Sequence, residues 1–457
     1  MKQAEALEIL KLGHNVFLTG AAGSGKTYLL NQYISSLRER EVVVGITAST
    51  GIAATHMNGR TIHSWAGLGI KDDFGASDIS LLLRKPDMQH QFNVSKVLII
   101  DEISMLHHFR LDFVDQVCRA FKNPDLPFGG LQVILCGDFF QLPPVSKGAD
   151  VSHFAPKSKV WKQMDIKVCY LTEQYRQQDQ AFLNVLTDVR ENDIKERTLR
   201  ALKKRLNAKL KNSKIKPTKL YTHNANVDVI NISELDKLQG KPKTYNMREQ
   251  GKEKLVAGLK KGCMAPEELA LKKGAIVMFV KNDLGRKYVN GTLGKVTGFD
   301  KDGWPIAKTI KGHRVVAFPE SWDVRVGREV VAQISQVPLR LAWAITVHKS
   351  QGMSMDIAEM DLSKSFEPGM GYVALSRVRS LEGIKLLGIN ETALKVSTEA
   401  LRLDKLLRKS SEETLSYLNG LGEEKETLQR RYLESITPAE PEEELSAVEK
   451  LKKALFG

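Results

Sequence analysis

From the N-terminus to about residue 178, short apolar runs alternate with helical stretches. The runs at 15–19, 41–47, 97–100, 132–136 and 167–171 are strand-sized. Strands separated by helices predict a parallel, doubly wound α/β sheet. From 179 to 216 the periodicity turns helical, with Leu199, Leu202, Leu206 and Leu210 at helical spacing. Between 268 and 335 the pattern changes again. Short strands at 272–281, 288–299 and 305–310 are divided by the turn signals Asn290-Gly291 and Asp302-Gly303, which predicts a small antiparallel barrel. Alternation resumes at about 336, with strands expected at 341–348 and 385–387, so the barrel reads as an insertion into a second α/β domain. Beyond 400 the chain is helical and acidic, broken by a Thr-Pro-Ala-Glu-Pro linker at 437–441. It reads as an accessory helix pair, and no internal repeat of fixed period interrupts this plan.

Charge refines the picture. The 457 residues carry +14, but 411–457 holds six basic and 11 acidic residues, a net −5, which leaves +19 on 1–410. A positive field of that size favours capture of a polyanion, so nucleic acid is the first partner to test. The densest patch, 195–219, has 11 Lys or Arg against one acid. It fits a solvated helix face at least as well as a DNA contact. Cys118, Cys136, Cys169 and Cys263 are far apart with no C-x-x-C pair, which suggests neither a zinc site nor a disulfide framework. The longest apolar runs are too short to span a membrane and no secretion signal is visible, so a cytoplasmic setting, nucleoid-associated in a bacterium, is the default.

Candidate chemistry begins at Gly20-Ala21-Ala22-Gly23-Ser24-Gly25-Lys26-Thr27, between an apolar run and a helix-competent stretch. This is the strand–loop–helix setting of a P-loop, in which backbone N–H groups and a helix N-terminus surround phosphate. Lys26 is expected to pair with the β and γ phosphates of ATP, and the Thr27 hydroxyl to hold Mg²⁺. The run 97–100 ends in Asp101-Glu102. Asp101 is then expected to complete the Mg²⁺ shell and Glu102 to act as general base for the attacking water.

Further segments have no reason to coexist in a simple kinase. They are Thr47-Ala48-Ser49-Thr50-Gly51-Ile52-Ala53-Ala54, Gly137-Asp138-Phe139-Phe140-Gln141-Leu142-Pro143-Pro144, Leu171-Thr172-Glu173-Gln174-Tyr175-Arg176, Val347-His348-Lys349-Ser350-Gln351-Gly352 and Tyr372-Val373-Ala374-Leu375-Ser376-Arg377. In order and separation they resemble motifs of superfamily-one helicases. The segment 111–132, Thr61-Ile62-His63-Ser64 and 373–383 resemble the petite-integration-frequency (Pif) type within that superfamily, relatives of the RecD-like motors. The similarity covers roughly 1–395.

The resemblance implies two RecA-like motor domains, one at 1–178 with a small wedge insertion near 58–78, the other at 179–240 and 336–400. It also implies an inserted domain at 241–335 with an SH3-like barrel, and leaves 401–457 as a helical acidic extension. It implies that Gln3 reads adenine, that Gln141 senses the γ-phosphate, and that Arg176 and Arg377, from different domains, act as cationic fingers. Thr50, Gly51, His348 and Lys349 become DNA phosphate-side candidates; His63 and Phe139, with Phe140 and Trp65, become base-side candidates. The implied activity is Mg-ATP-driven 5′-to-3′ movement on single-stranded DNA with unwinding at single-strand/duplex junctions, by a monomer that meets replication or repair proteins. Two alternatives stay open: a translocase that remodels protein–DNA complexes or works inside a RecD-like assembly, and a non-hydrolysing nucleic-acid binding module. Preference among forks, G-quadruplexes, DNA and RNA is not legible in these residues.

Overall fold

The computed structural model describes residues 1–68, 74–144, 154–177, 179–210, 217–221, 227–281, 287–310, 312–326 and 329–438. Six strands build the first sheet: β1 (Asn15–Gly20), β2 (Val43–Ala48), β3 (Arg60–Thr61), β4 (Ser95–Asp101), β5 (Gln132–Cys136) and β6 (Ile166–Leu171). Their order is β3-β2-β4-β5-β1-β6, and every pairing is parallel. Val16–Leu18, Val97–Ile100 and Val133–Cys136 are buried along their lengths, as strands covered by helices on both faces must be. Because all six run the same way, the loops after β1, β4, β5 and β6 leave from one edge of the sheet, where ligands of such folds bind.

A second sheet has four parallel strands in the order Ala344–Thr346, Thr218–Tyr221, Ala358–Leu362, Ile384–Ile389. Between its first and later strands in sequence lies antiparallel structure. Five strands pair in the order Arg314–Val316, Pro305–Thr309, Leu293–Phe299, Ile276–Phe279, Leu339–Leu341. Gly291 and Gly303 take φ of +92° and +90° at the two expected turns. Two smaller ladders, Lys243–Asn246 with Glu268–Leu271 and Arg248–Gly251 with Glu329–Gln336, join this region.

Two expectations need correction. The run 341–348 is not one strand. Leu339–Leu341 pairs with Ile276–Phe279 of the antiparallel sheet, Ala344–Thr346 pairs with Thr218–Tyr221 of the parallel one, and His348–Ser350 is a 3₁₀ turn. The helical leucine spacing at 199–210 also breaks: the helix Glu196–Lys203 buries Leu202 and leaves Leu199 exposed. Leu206 lies beyond that helix, in a bridge to Leu386. Within the 58–78 insertion the described residues form β3, a short helix Ile62–Trp65 and the start of helix Ala76–Leu83, while 69–73 lie outside the described residues.

The accessory helix pair consists of Thr398–Gly420 and Glu424–Ile436; residues 439–457 lie outside the described residues. It is sewn to the first sheet. Leu418 and Ile436 enter the core formed by Leu10, Leu18, Leu30 and Tyr33. The Gln132 side chain, at the start of β5, is fully engaged. Its Oε1 accepts from the Tyr33 and Tyr432 hydroxyls, both at 2.9 Å, and its Nε2 donates to Leu10 O at 2.8 Å and His14 O at 3.0 Å. A buried amide satisfied on all sides is stabilising, and removal of one partner costs about 1–3 kcal/mol. Helix 398–420 lies along the outer strand β6, where Ser411 Oγ accepts from the Tyr170 N–H at 3.0 Å.

Candidate active site between the two parallel sheets

Gly20 ends β1 and Lys26 opens the helix Lys26–Arg38. Gly23 and Gly25 turn the chain between them with φ of +92° and +83°, a conformation that costs glycine little. Neither has room for a side chain: a Cβ on Gly25 would lie 2.0 Å from Gln3 Nε2, and one on Gly23 would lie 2.6 Å from Arg176 Cβ. Gln3 Nε2 donates to the Ser24 and Gly25 carbonyls at 3.2 and 3.3 Å, and Lys26 Nζ donates to the Gly20 and Ala21 carbonyls at 2.8 and 3.2 Å. Ala22 N–H donates across to the Tyr372 hydroxyl of the second sheet's region at 3.1 Å.

The end of β4 brings in the carboxylates. Asp101 is buried, its Oδ1 accepting from the Glu102 N–H at 2.8 Å, and the Cys136 thiol donates to it. Glu102 has φ +52° and ψ +42°. A glutamate held in this sparsely populated region is over-determined by its surroundings. Burial, and then the negative charge of Asp101, push its carboxyl up to about 7. Burial likewise raises Asp101. Gln351 Nε2 reaches from the second sheet's region to donate to Glu102 Oε2 at 3.0 Å.

After β5, Asp138 is fully buried and accepts from Gln141 Nε2 at 3.3 Å, leaving Gln141 Oε1 without a partner among the described residues. After β6, Arg176 Nη1 donates to Ser376 O at 3.2 Å; burial and then neighbouring Arg377 lower its guanidinium to about 9. Arg377 is 1% exposed, its Nε donating to Val373 O at 2.9 Å.

These groups face one cavity of about 730 Å³, whose walls include Lys26, Thr27, Asp101, Glu102, Gln141, Arg176, Arg377 and Arg379. Thr50, His348 and Lys349 line the same cavity. Thr50 caps its helix by accepting from the Ala53 N–H at 3.3 Å, and burial lowers the His348 pKa. Gly20, Ala21 and Ser24 belong to the loop itself.

Other candidates lie elsewhere. Phe139 is 4% exposed and packs between Phe17 and Phe154, with centroids at 5.3 and 5.2 Å, so its ring is core and not a base platform. Phe140 lies buried beneath the Arg190 guanidinium at 4.0 Å, and Trp65 is buried against Phe92. His63 is outside the cavity, near Arg110 and His107, and burial holds it down at about 4. Gly51 has its carbonyl against Gly262, where a Cβ would approach it to 2.5 Å. Residues that the sequence reading did not single out also appear. Tyr28 and Tyr175 stand exposed on the wall beside Gln3 and Gly25, and Arg379 adds a cation.

Two parallel sheets that share one cation-lined cleft, with a P-loop on one and an arginine supplied by the other, are the architecture of P-loop motor proteins. Residues 2–200 match the PIF1-like helicase family, and 254–299 match the 2B domain of DNA helicase Pif1. The chain is 45% identical to the ATP-dependent DNA helicase Pif1 of Psychrobacter sp., over 89% of this chain and 70% of that one. It spans 64% of the human ATP-dependent DNA helicase PIF1, at 37% identity. Bacteroides sp Pif1 in complex with ADP-AlF4 superposes with a TM-score of 0.75 at 30% identity, covering 89% of this chain and 96% of that one. Bacteroides Pif1 bound to ssDNA gives 0.60 at 31% identity, covering 90% and 97%. The chain belongs to the PIF1-like helicase family.

Proposed function

We propose that the cleft hydrolyses ATP between the two sheets and uses closure and release of the second sheet's region to advance along single-stranded DNA in the 5′-to-3′ direction. As a member of its family the chain is an ATP-dependent DNA helicase; what the proposal adds is a division of labour among its residues. The observation that carries it is the convergence of Lys26 and Arg176 from one sheet's loops with Arg377 and Arg379 from the other's around the paired carboxylates. These four cations, grouped about the carboxylates, suit a triphosphate, whose negative charge would draw the halves together.

In this reading Lys26, Arg176 and Arg377 neutralise the phosphates, and Gln3, which holds the P-loop carbonyls of Ser24 and Gly25, would contact the base. Glu102 takes a proton from the attacking water, which its raised pKa favours near neutral pH. Gln141, tethered to Asp138, orients groups at the γ-phosphate. The Thr27 hydroxyl and the Asp101 carboxylate form a hard-oxygen pair that suits Mg²⁺. The ion would supply charge neutralisation on the phosphates. Thr50, His348 and Lys349, on the same cavity wall, would carry the strand's phosphates.

Unwinding of duplexes with either a 5′ or a 3′ single-stranded tail, with and without ATP and Mg²⁺, tests the proposal. Opening of the 5′-tailed substrate alone supports it. Activity on the 3′-tailed substrate alone overturns the direction, and phosphate release without any strand opening favours a translocase that remodels bound proteins.

A further inference from the structure

Arg190 ends the helix Gln180–Arg190, outside every motif quoted above, yet it is buried where four parts of the molecule meet. Its Nη1 lies 2.8 Å from both carboxylate oxygens of Asp138 and 3.1 Å from the Tyr372 hydroxyl. Its Nη2 donates to the Tyr170 hydroxyl at 3.1 Å, and its face covers the Phe140 ring. Each partner leads onward. Asp138 holds the Gln141 amide, and Tyr372 accepts from the P-loop amide of Ala22 while standing on the helix that leads to Arg377. In the opposite direction Tyr170 donates to Asp404 Oδ1 at 2.7 Å and accepts from Arg408 Nη2 at 2.9 Å, both on the C-terminal helix 398–420.

We propose that Arg190 is a positioning residue for ATP hydrolysis, and that the C-terminal helix tunes it through Asp404, Arg408 and Tyr170. The proposal rests on the hydrolysis reading given above. Charge supports it. Asp138 is buried with no cation but Arg190 within ion-pairing distance among the described residues, so the pair must stay joined, and a displacement of Arg190 carries Asp138 and Gln141 with it. Geometry supports it too. The Tyr170 hydroxyl has its one proton committed to Asp404 and two cationic donors on its oxygen, so loss of either helix contact alters its hold on Arg190. A guanidinium reaches Asp138, Tyr372 and Tyr170 at once; a lysine ammonium, a single point, does not. The acidic extension, outside the motor motifs, thereby acquires a role in catalysis.

The test measures steady-state phosphate release by the full chain, with saturating single-stranded DNA, for Tyr170→Phe, Asp404→Asn and Arg190→Lys, alone and in the double variant Tyr170→Phe/Arg190→Lys. Tyr432→Phe serves as the control: it loosens the second C-terminal helix at Gln132 and leaves the relay untouched. Expected are a several-fold lower kcat in each relay variant, an unchanged KM for ATP, unchanged DNA affinity, and a double variant no worse than Arg190→Lys alone. Tyr432→Phe should lower Tm with kcat unchanged. Unaltered kcat in Tyr170→Phe and Asp404→Asn, or a kcat loss in Tyr432→Phe that matches theirs, overturns the proposal. Absence of phosphate release from the unaltered chain instead overturns the hydrolysis reading, so the two failures are distinguishable.

Discussion

The Gln351 amide donates to Glu102 Oε2 at 3.0 Å, joining a carboxylate at the end of β4 to a segment two residues from Lys349. Glu102 is the proposed base and Lys349 a proposed strand contact, so this bond ties the two events together. Gln351→Ala should lower DNA-stimulated kcat about tenfold, a fraction of the ~10²–10⁴ that a positioned base supplies. The ratio of phosphate release with and without single-stranded DNA checks it, since loss of coupling compresses that ratio.

The raised pKa of Glu102 makes two claims about pH. Free-enzyme kcat/KM should rise with pH through an ionisation near the value of about 7, because only the carboxylate accepts a proton. Stability runs the opposite way. The folded state holds this proton more tightly than the unfolded chain, so the carboxyl weakens the fold progressively as pH climbs from 4.5 past about 7. Glu102→Gln should therefore melt higher than the unaltered chain at pH 8, with the gap narrowing at pH 5; a constant gap would contradict the assignment.

Lys26→Ala and Arg377→Ala should each reduce hydrolysis by about 10³-fold or more, the scale of a lost cationic finger. Single-stranded DNA binding without nucleotide should be largely spared, as fluorescence anisotropy would report. Retained unwinding by the Lys26 variant would sink the mechanism.

Phe139 and Lys349 provide a contrast. Phe139→Leu should reduce stability by about 1 kcal/mol, with larger truncations costing ~3–5 kcal/mol, and leave DNA affinity alone, because the ring packs against Phe17 and Phe154. Lys349→Ala should leave the melting temperature alone, weaken DNA binding across sequences, and reduce the salt slope by about one.

Five strands of the first sheet were legible because Val97–Ile100 and its neighbours are apolar runs, whereas β3, two residues long and polar, was not. Thr218–Tyr221 and Ala358–Leu362 were not, being short strands that carry Lys219, Glu359 and Asp361. The run 341–348 misled for another reason: it passes from an antiparallel sheet to a parallel one without a change of composition, and periodicity does not record a change of partner. Most of the cleft was readable because its residues follow strand ends in recognisable order. Phe139 was misread because burial depends on residues as distant as Phe17 and Phe154. Arg190 has no local signature because its partners Asp138, Tyr170, Tyr372, Phe140 and Asp404 are all distant in sequence.

Strand β6 is the outer strand of its sheet, and helix 398–420 lies where a seventh strand would pair. Such edges otherwise recruit strands from other molecules. A chain cut after Val396 would uncover the Tyr170 N–H that Ser411 covers, together with the apolar contacts of Leu418 and Ile436. The acidic extension thus doubles as a guard against self-association, and its removal should register in light scattering as aggregation.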